Sequence, residues 1–477
     1  MLVARDRERE TLTEALESSR PELIAVYGRR RIGKTFLVRE HFRDAIVFEL
    51  TGSHAGDMAT QLRAFALALG RAMSAPAALA PPSDWMEAFT QLERYLTELP
   101  RPGAKHVVFL DELPWLATRR SGFLSAFEHF WNAWASAQPW LAVVICGSAA
   151  SWMLRKVIKQ RGGLHNRVTR RVRLQPLGLR ESREYLRARH VTLDDYQLLE
   201  LYMALGGIPH YLNQVRPGRS AAQSIDQACF SPDGVLTEEF QELYAALFEK
   251  SERHEAIVRA LAKKRRGLER GELLDAAKLP SGGTATKVLD ELEESGFVSR
   301  SVPLGHTLRE SRFQLADAYS HFYLSWIEKH RGKESGAWLK KRASPRFRAW
   351  AGLAFERVCL EHVAAIKKRL GIAAVDTDHA VWVHRPVSHD DEGAQIDLVI
   401  ERADRCANLC EMKFSESEFV IDKAYAKELA RKRDVYARVT GTSRSLFLTI
   451  VTTEGVRRNE HAQRLGVQVV TMDALFD

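Results

Sequence analysis

Eight residues constrain this chain more than any others: Gly28-Arg29-Arg30-Arg31-Ile32-Gly33-Lys34-Thr35. They fit the pattern G-x-x-x-x-G-K-[ST], follow the apolar run Leu23 to Tyr27, and lead into the helical run Phe36 to Phe42. Glycines let the backbone turn tightly, so that its N–H groups and the N-terminus of the next helix cradle phosphates. Lys34 is then placed to reach the β- and γ-oxygens, and the Thr35 hydroxyl to ligate Mg²⁺. Further short apolar runs (Ile46 to Leu50, His106 to Leu110, Leu141 to Cys146) alternate with amphipathic stretches. That alternation predicts an α/β domain with a parallel sheet and crossover helices.

A phosphate-binding loop needs a carboxylate at the end of a neighbouring strand. His106-Val107-Val108-Phe109-Leu110-Asp111-Glu112 supplies an apolar strand ending in two acids. Asp111 is expected to hold Mg²⁺ through water, and Glu112 to polarise the attacking water as a general base. The next run ends in Cys146-Gly147-Ser148, where the small polar Ser148 can sense the γ-phosphate.

The chain has 477 residues, enough for two to four domains. Its start, Met1 to Glu10, alternates charges where a secretory signal needs an apolar core, and no apolar run approaches the roughly 18 residues that span a bilayer. The expectation is a cytoplasmic protein with no membrane partner, whose five cysteines are reduced thiols. Lys plus Arg exceed Asp plus Glu by 70 to 61, a net charge of +9. The excess is clustered, with twelve Lys and Arg between Arg155 and Arg189 and twelve more between Lys329 and Arg369. Such blocks suit a polyanion, DNA above all, through phosphate contacts.

Three segments are expected: an ATPase domain with a helical lid over 1–235, a second over 236–335 and a third over 336–477. In the second, His254 to Leu261, Glu269 to Ala277 and Ala285 to Ser295 have helical spacing, and Gly296-Phe297-Val298 opens a β-like run. Three helices and a hairpin describe a winged helix, with Ser281, Thr284, Thr286 and Lys287 near the exposed start of its third helix. In the third segment, Gln395 to Ile400 and Leu409 to Lys413 are β-like runs. A hairpin centred near residue 404 sets Asp397 opposite Glu411, and the period of two turns Lys413 to the same face. Two acids to bind Mg²⁺ and a lysine to orient water are what metal-dependent phosphodiester cleavage requires. His384, His389, Asp390 and Asp391 fit no tight metal template and read as a polar loop.

Together, Tyr27 to Thr35, Phe109 to Glu112, Cys146 to Ser148, Gly206-Gly207-Ile208-Pro209 and Glu411-Met412-Lys413 give the chain a resemblance to archaeal-type ATPases of the AAA+/STAND P-loop group whose C-terminal domain is PD-(D/E)XK nuclease-like. The resemblance implies a P-loop domain, a winged helix and an α/β nuclease-like domain in series, with ATP and Mg²⁺ as cofactors. It places Pro209 near the nucleotide and makes Glu356, in the run Ala351 to Val363, the helix acid that accompanies Asp397, Glu411 and Lys413. It implies that Arg167, Arg170 or Arg171 could reach a neighbouring subunit's γ-phosphate, and hence a homo-oligomer. Relatives open with Gly-Arg-Glu where this chain has Ala4-Arg5-Asp6. The function it implies is ATP-dependent DNA binding in which the ATPase gates a Mg²⁺-dependent nuclease, in host defence or mobile-element control. The alternative is an ATP-switched DNA-binding or signalling regulator whose C-terminal domain docks a partner.

Overall fold

The computed structural model describes all residues except 1, 55, 102, 119, 149, 159–163, 165, 249, 265–266, 306, 308–309, 331–335 and 387–390. The chain folds into two compact units: residues 1–176 with 290–296, and residues 177–289 with 297–477.

The first unit is built on five strands: β1 (Glu22–Tyr27), β2 (Ile46–Thr51), β3 (His106–Asp111), β4 (Leu141–Gly147) and β5 (Arg170–Arg173). All neighbours pair in parallel, in the order β2-β3-β4-β1-β5. β1 and β4 are buried along their whole lengths, as a sheet covered by helices on both faces requires. Val, Ile, Leu and Ala fill them because nothing on either side offers water. Over one face the helices Met58–Ala72, Trp85–Glu98 and Phe123–Ala133 bury Phe65, Trp85, Phe89, Phe123 and Phe127 together. Trp85 meets Phe123 edge to face at 4.7 Å, and Phe89 stacks on Phe130 at 5.1 Å.

The second unit opens with helices, among them Leu179–Arg187, Asp195–Leu205, Pro209–Leu212, Ala221–Cys229 and Glu239–Leu247. The helices Ser251–Ala262, Arg270–Ala276 and Gly283–Glu294 follow, the last running from residue 290 into the stretch counted with the first unit, with three short antiparallel strands, β6 (Leu268–Glu269), β7 (Val298–Ser301) and β8 (Arg312–Leu315), in the order β6-β8-β7. After the helix Pro345–Glu361 comes a second five-stranded sheet: β9 (Thr377–His384), β10 (Ala394–Arg402), β11 (Cys406–Lys413), β12 (Ser445–Thr452) and β13 (Gln468–Thr471). Its order is β13-β12-β11-β10-β9. β9, β10 and β11 form an antiparallel meander, whereas β11, β12 and β13 run parallel. Parallel pairing needs crossovers, which the helices Lys423–Thr440 and Glu460–Leu465 provide. Trp382, Ile396, Val399, Leu409, Leu429 and Tyr436 form its core.

Candidate functional site

One strand, β4, separates β1 from β3, so the loop after β1, the acids after β3 and the serine after β4 all emerge at the same sheet edge. Gly28 leaves β1 at φ 149°, and a Cβ there would lie 2.5 Å from the Leu174 carbonyl oxygen. Only glycine fits. Gly33 caps the helix Lys34–His41 with φ 87°, a left-handed turn that L side chains resist. Between them Arg31 also takes positive φ, at 71°.

Lys34 is buried, and its Nζ donates to the Arg29 carbonyl at 2.9 Å across the loop. Burial lowers its pKa below the ordinary lysine value, an effect opposed by Cys146, Glu112 and Asp111. An anion in the loop would stabilise the charge that burial disfavours. Thr35 Oγ1 donates to Asp111 Oδ2 at 2.8 Å, while Asp111 Oδ1 accepts the Glu112 backbone N–H at 2.9 Å. Glu112 itself has φ 47°, an uncommon conformation for a non-glycine residue. Ser148 donates to Glu112 twice, from Oγ at 2.6 Å and from its backbone N–H at 3.2 Å. Gly147 makes room for this turn, because a Cβ there would come within 2.9 Å of both Met153 and Pro114.

The sequence passed over one further contact. Arg5 is buried, donates to the Ile32 carbonyl of the loop at 3.4 Å and pairs with Glu8 at 3.4 Å. Ala4 and Arg5 both have positive φ, 61° and 66°. The signal was Ala4-Arg5-Asp6 itself, which reads as a departure from Gly-Arg-Glu yet places an arginine on the loop. Of the residues considered as trans-acting arginines, Arg170 is paired with Glu14 at 2.7 Å on the edge strand β5, while Arg167 and Arg171 are exposed. Pro209 opens a four-residue helix in the second unit, where Gly206, at φ 67°, caps the preceding helix. A Cβ on Gly207 would overlap the Leu177 carbonyl at 1.7 Å.

The second constellation lies on β10 and β11. Leu398 pairs with Cys410 and Val399 with Leu409, the register that sets Asp397 across from Glu411. The pairing of β10 with β9 slips between Ile396 and Val399, so a bulge takes in Asp397 and Leu398. Bulges re-aim side chains. The Asp397 carboxylate accepts the Met412 N–H at 3.0 Å. Glu411 is buried and bridges Lys432 Nζ at 2.7 Å and Lys413 Nζ at 3.6 Å, and it accepts the Tyr425 hydroxyl at 3.3 Å. Burial raises its pKa, and the charge of Asp397 adds to the rise. The Lys413 ammonium lies 5.1 Å from the centre of the Tyr425 ring.

Tyr425 and Lys432 were not legible as site residues, although they stand seven apart on the helix Lys423–Thr440 and therefore on one of its faces. Glu356 is on the helix Pro345–Glu361 and lines the same cavity as Asp397, whereas Glu411 does not line it. Among the described residues, no group of three or more His, Cys, Asp or Glu is arranged to hold a metal ion. His384 bonds Asp391 at 2.6 Å and Arg438 pairs with the same carboxylate at 3.0 Å; His389 and Asp390 lie outside the described residues.

In the smaller module of the second unit, Ser281, Thr284, Thr286 and Lys287 are exposed around the start of the helix Gly283–Glu294. Arg270 donates to Ser281 and to Thr286, both at 3.1 Å.

A 25% identical relative, an uncharacterised protein of Methanocaldococcus jannaschii, aligns over 442 residues, 91% of this chain and 92% of the relative. The Walker-type ATPase of Pyrococcus abyssi is similar in structure, with a TM-score of 0.50 and 18% identity over 68% of this chain and 96% of that one. The ORC2 protein of Aeropyrum pernix aligns at a TM-score of 0.41, with 15% identity over 72% of this chain and 96% of that one. No helix among the described residues is long and apolar enough to cross a membrane. Residues 2–215, the stretch that holds the five-stranded parallel sheet and its phosphate-loop sequence, match the family model described as an ATPase domain predominantly from Archaea.

Proposed function

We propose that this chain is an ATP-driven DNA-binding protein whose C-terminal sheet carries a Mg²⁺-dependent nuclease centre under the control of the ATPase. In the ATPase site, Lys34 and the loop amides would hold the phosphates, and Thr35 and Asp111 offer the hard oxygens that suit Mg²⁺. Glu112 would accept the proton of the attacking water once Ser148 releases it. The helices and three-stranded sheet over 251–315 have the element order of a winged helix, and the exposed hydroxyls and Lys287 at the start of its third helix suit a groove or phosphate contact.

The nuclease reading is carried by one observation: Asp397 faces Glu411 across a β-hairpin, with Lys413 two residues further along the same strand. The hairpin belongs to the meander β9-β10-β11, with the helix Pro345–Glu361 before it and the helix Lys423–Thr440 leading to the parallel strand β12. Carboxylate oxygens of the kind Asp397 and Glu411 carry suit a hard divalent cation, and Glu356 shares a cavity with Asp397 alone of that pair. Such an ion would polarise the scissile phosphate and lower the pKa of a bound water. Lys413 would orient that water, and Lys432 would offset the charge that develops on the phosphate.

The test is to incubate the protein with plasmid, linear and single-stranded DNA, with and without ATP and Mg²⁺. Cleavage requiring both, and abolished by Asp397→Ala, is the expected result. Wild-type cleavage unaffected by Asp397→Ala sinks the nuclease assignment.

A second reading has its own support. The Glu411 charge is already matched by Lys432 and Lys413. A site neutralised by its own lysines is also what a domain that only docks a partner would carry, which makes the chain an ATP-switched regulator.

A further inference from the structure

A cavity of about 500 Å³ opens beside Asp397 and Glu356 within the second unit. Its volume falls in the range of roughly 300–1,000 Å³ typical of ligand sites, enough for a nucleotide and too little for a base pair with both its strands. Its lining changes character from one part to another. Asp397, Glu356 and Gln395 supply polar oxygens, Trp326, Trp350 and Leu353 supply apolar surface, and Lys263, Lys264 and Arg346 supply exposed positive charge.

Arg346 is held in place. Its guanidinium lies 4.5 Å from the centre of the Trp326 ring and donates to the Ser325 carbonyl at 2.5 Å. That planar cation is therefore seated over an indole. His321 accepts the Trp350 indole N–H at 3.3 Å, and burial holds the imidazole neutral by lowering its pKa to about 3. Two N–H groups in the wall, Trp326 Nε1 and Arg357 Nε, are buried and have no acceptor among the described residues.

We propose that this cavity receives one unpaired nucleotide of a DNA strand, its base stacked on the Arg346 guanidinium and its flanking phosphates matched by Lys263 and Lys264. Bases stack on guanidinium planes as they do on aromatic rings, and a strand already free of its complement pays nothing to be splayed into such a slot. The substrate preferred at Asp397 is accordingly a single strand or a frayed end, and intact duplex is disfavoured.

This inference rests on the nuclease reading only in taking nucleic acid as the ligand. Its test measures binding with a chelator present, so that no strand is cut. Fluorescence anisotropy compares a labelled oligothymidylate with a duplex of the same length, using the full chain. The single strand should bind about tenfold more tightly, and Arg346→Ala should remove about that factor. Arg346→Lys should behave like Arg346→Ala, because the charge remains but the plane is lost. Arg346 is exposed, and circular dichroism verifies that both variants fold. Equal affinity for the two DNA forms, or full affinity in Arg346→Lys, overturns the proposal. A chain that binds in the expected way yet cuts nothing loses the nuclease reading and keeps this one; a chain that cuts DNA but is indifferent to Arg346 does the reverse.

Discussion

Glu411 sits among two lysines, a tyrosine and a second carboxylate, and its neighbours decide how stability follows pH. Burial first, and Asp397 second, raise its pKa in the folded protein. A carboxyl raised in this way favours the native state while protonated. That stability is complete below the ordinary glutamate value, roughly 4.3, and is lost as pH climbs through the folded value. Lys432 opposes the loss by pairing with the ionised form at 2.7 Å. Lys432→Ala should therefore unfold much like wild type near pH 4 in urea, and be less stable by about 3 kcal/mol at pH 8, as expected when a buried charge loses its partner. A constant deficit across that range would mean that Lys432 contributes packing and not charge. Asp397 and Glu411 were legible because a hairpin converts equal spacing about one centre into opposition. Lys432 comes from a helix that sequence periodicity cannot dock onto a strand, and so it was not.

The hairpin that joins β10 to β11 turns at Asp404-Arg405, and Arg405 is exposed at φ 64°. A left-handed arginine stores strain that glycine would not, so Arg405→Gly should stabilise the chain by about 0.5–1 kcal/mol in urea unfolding, less the added entropy of the unfolded glycine. A decrease in stability would show that the Arg405 side chain holds the turn. At this scale β1 to β4 and the β10–β11 hairpin could be read from the sequence, because each is an apolar run of strand length bounded by turn residues. β5 could not. Arg170-Arg171-Val172-Arg173 buries only Val172 and gains its strand conformation from pairing with β1, a tertiary effect. The bulge at Asp397 and Leu398 is equally invisible, since it exists only in the pairing with β9.

For the whole chain, the net charge of +9 and the two basic blocks lead to an electrostatic expectation. If those blocks neutralise phosphates, affinity for DNA of unrelated sequences should fall at least about tenfold between roughly 50 and 200 mM salt, with little dependence on sequence. Filter binding or anisotropy at several salt concentrations measures the slope, and a flat response would assign the blocks to solvated surface. If the ATPase controls cleavage at the β10–β11 site, parallel assays of ATP hydrolysis and DNA cleavage in Glu112→Gln and Asp397→Ala will separate the two activities. Asp397→Ala should hydrolyse ATP at the wild-type rate and cut nothing, while Glu112→Gln should bind ATP, hydrolyse it at least about a hundredfold more slowly and lose cleavage with it. Cleavage at the wild-type rate in Glu112→Gln, with its hydrolysis abolished, would contradict the account.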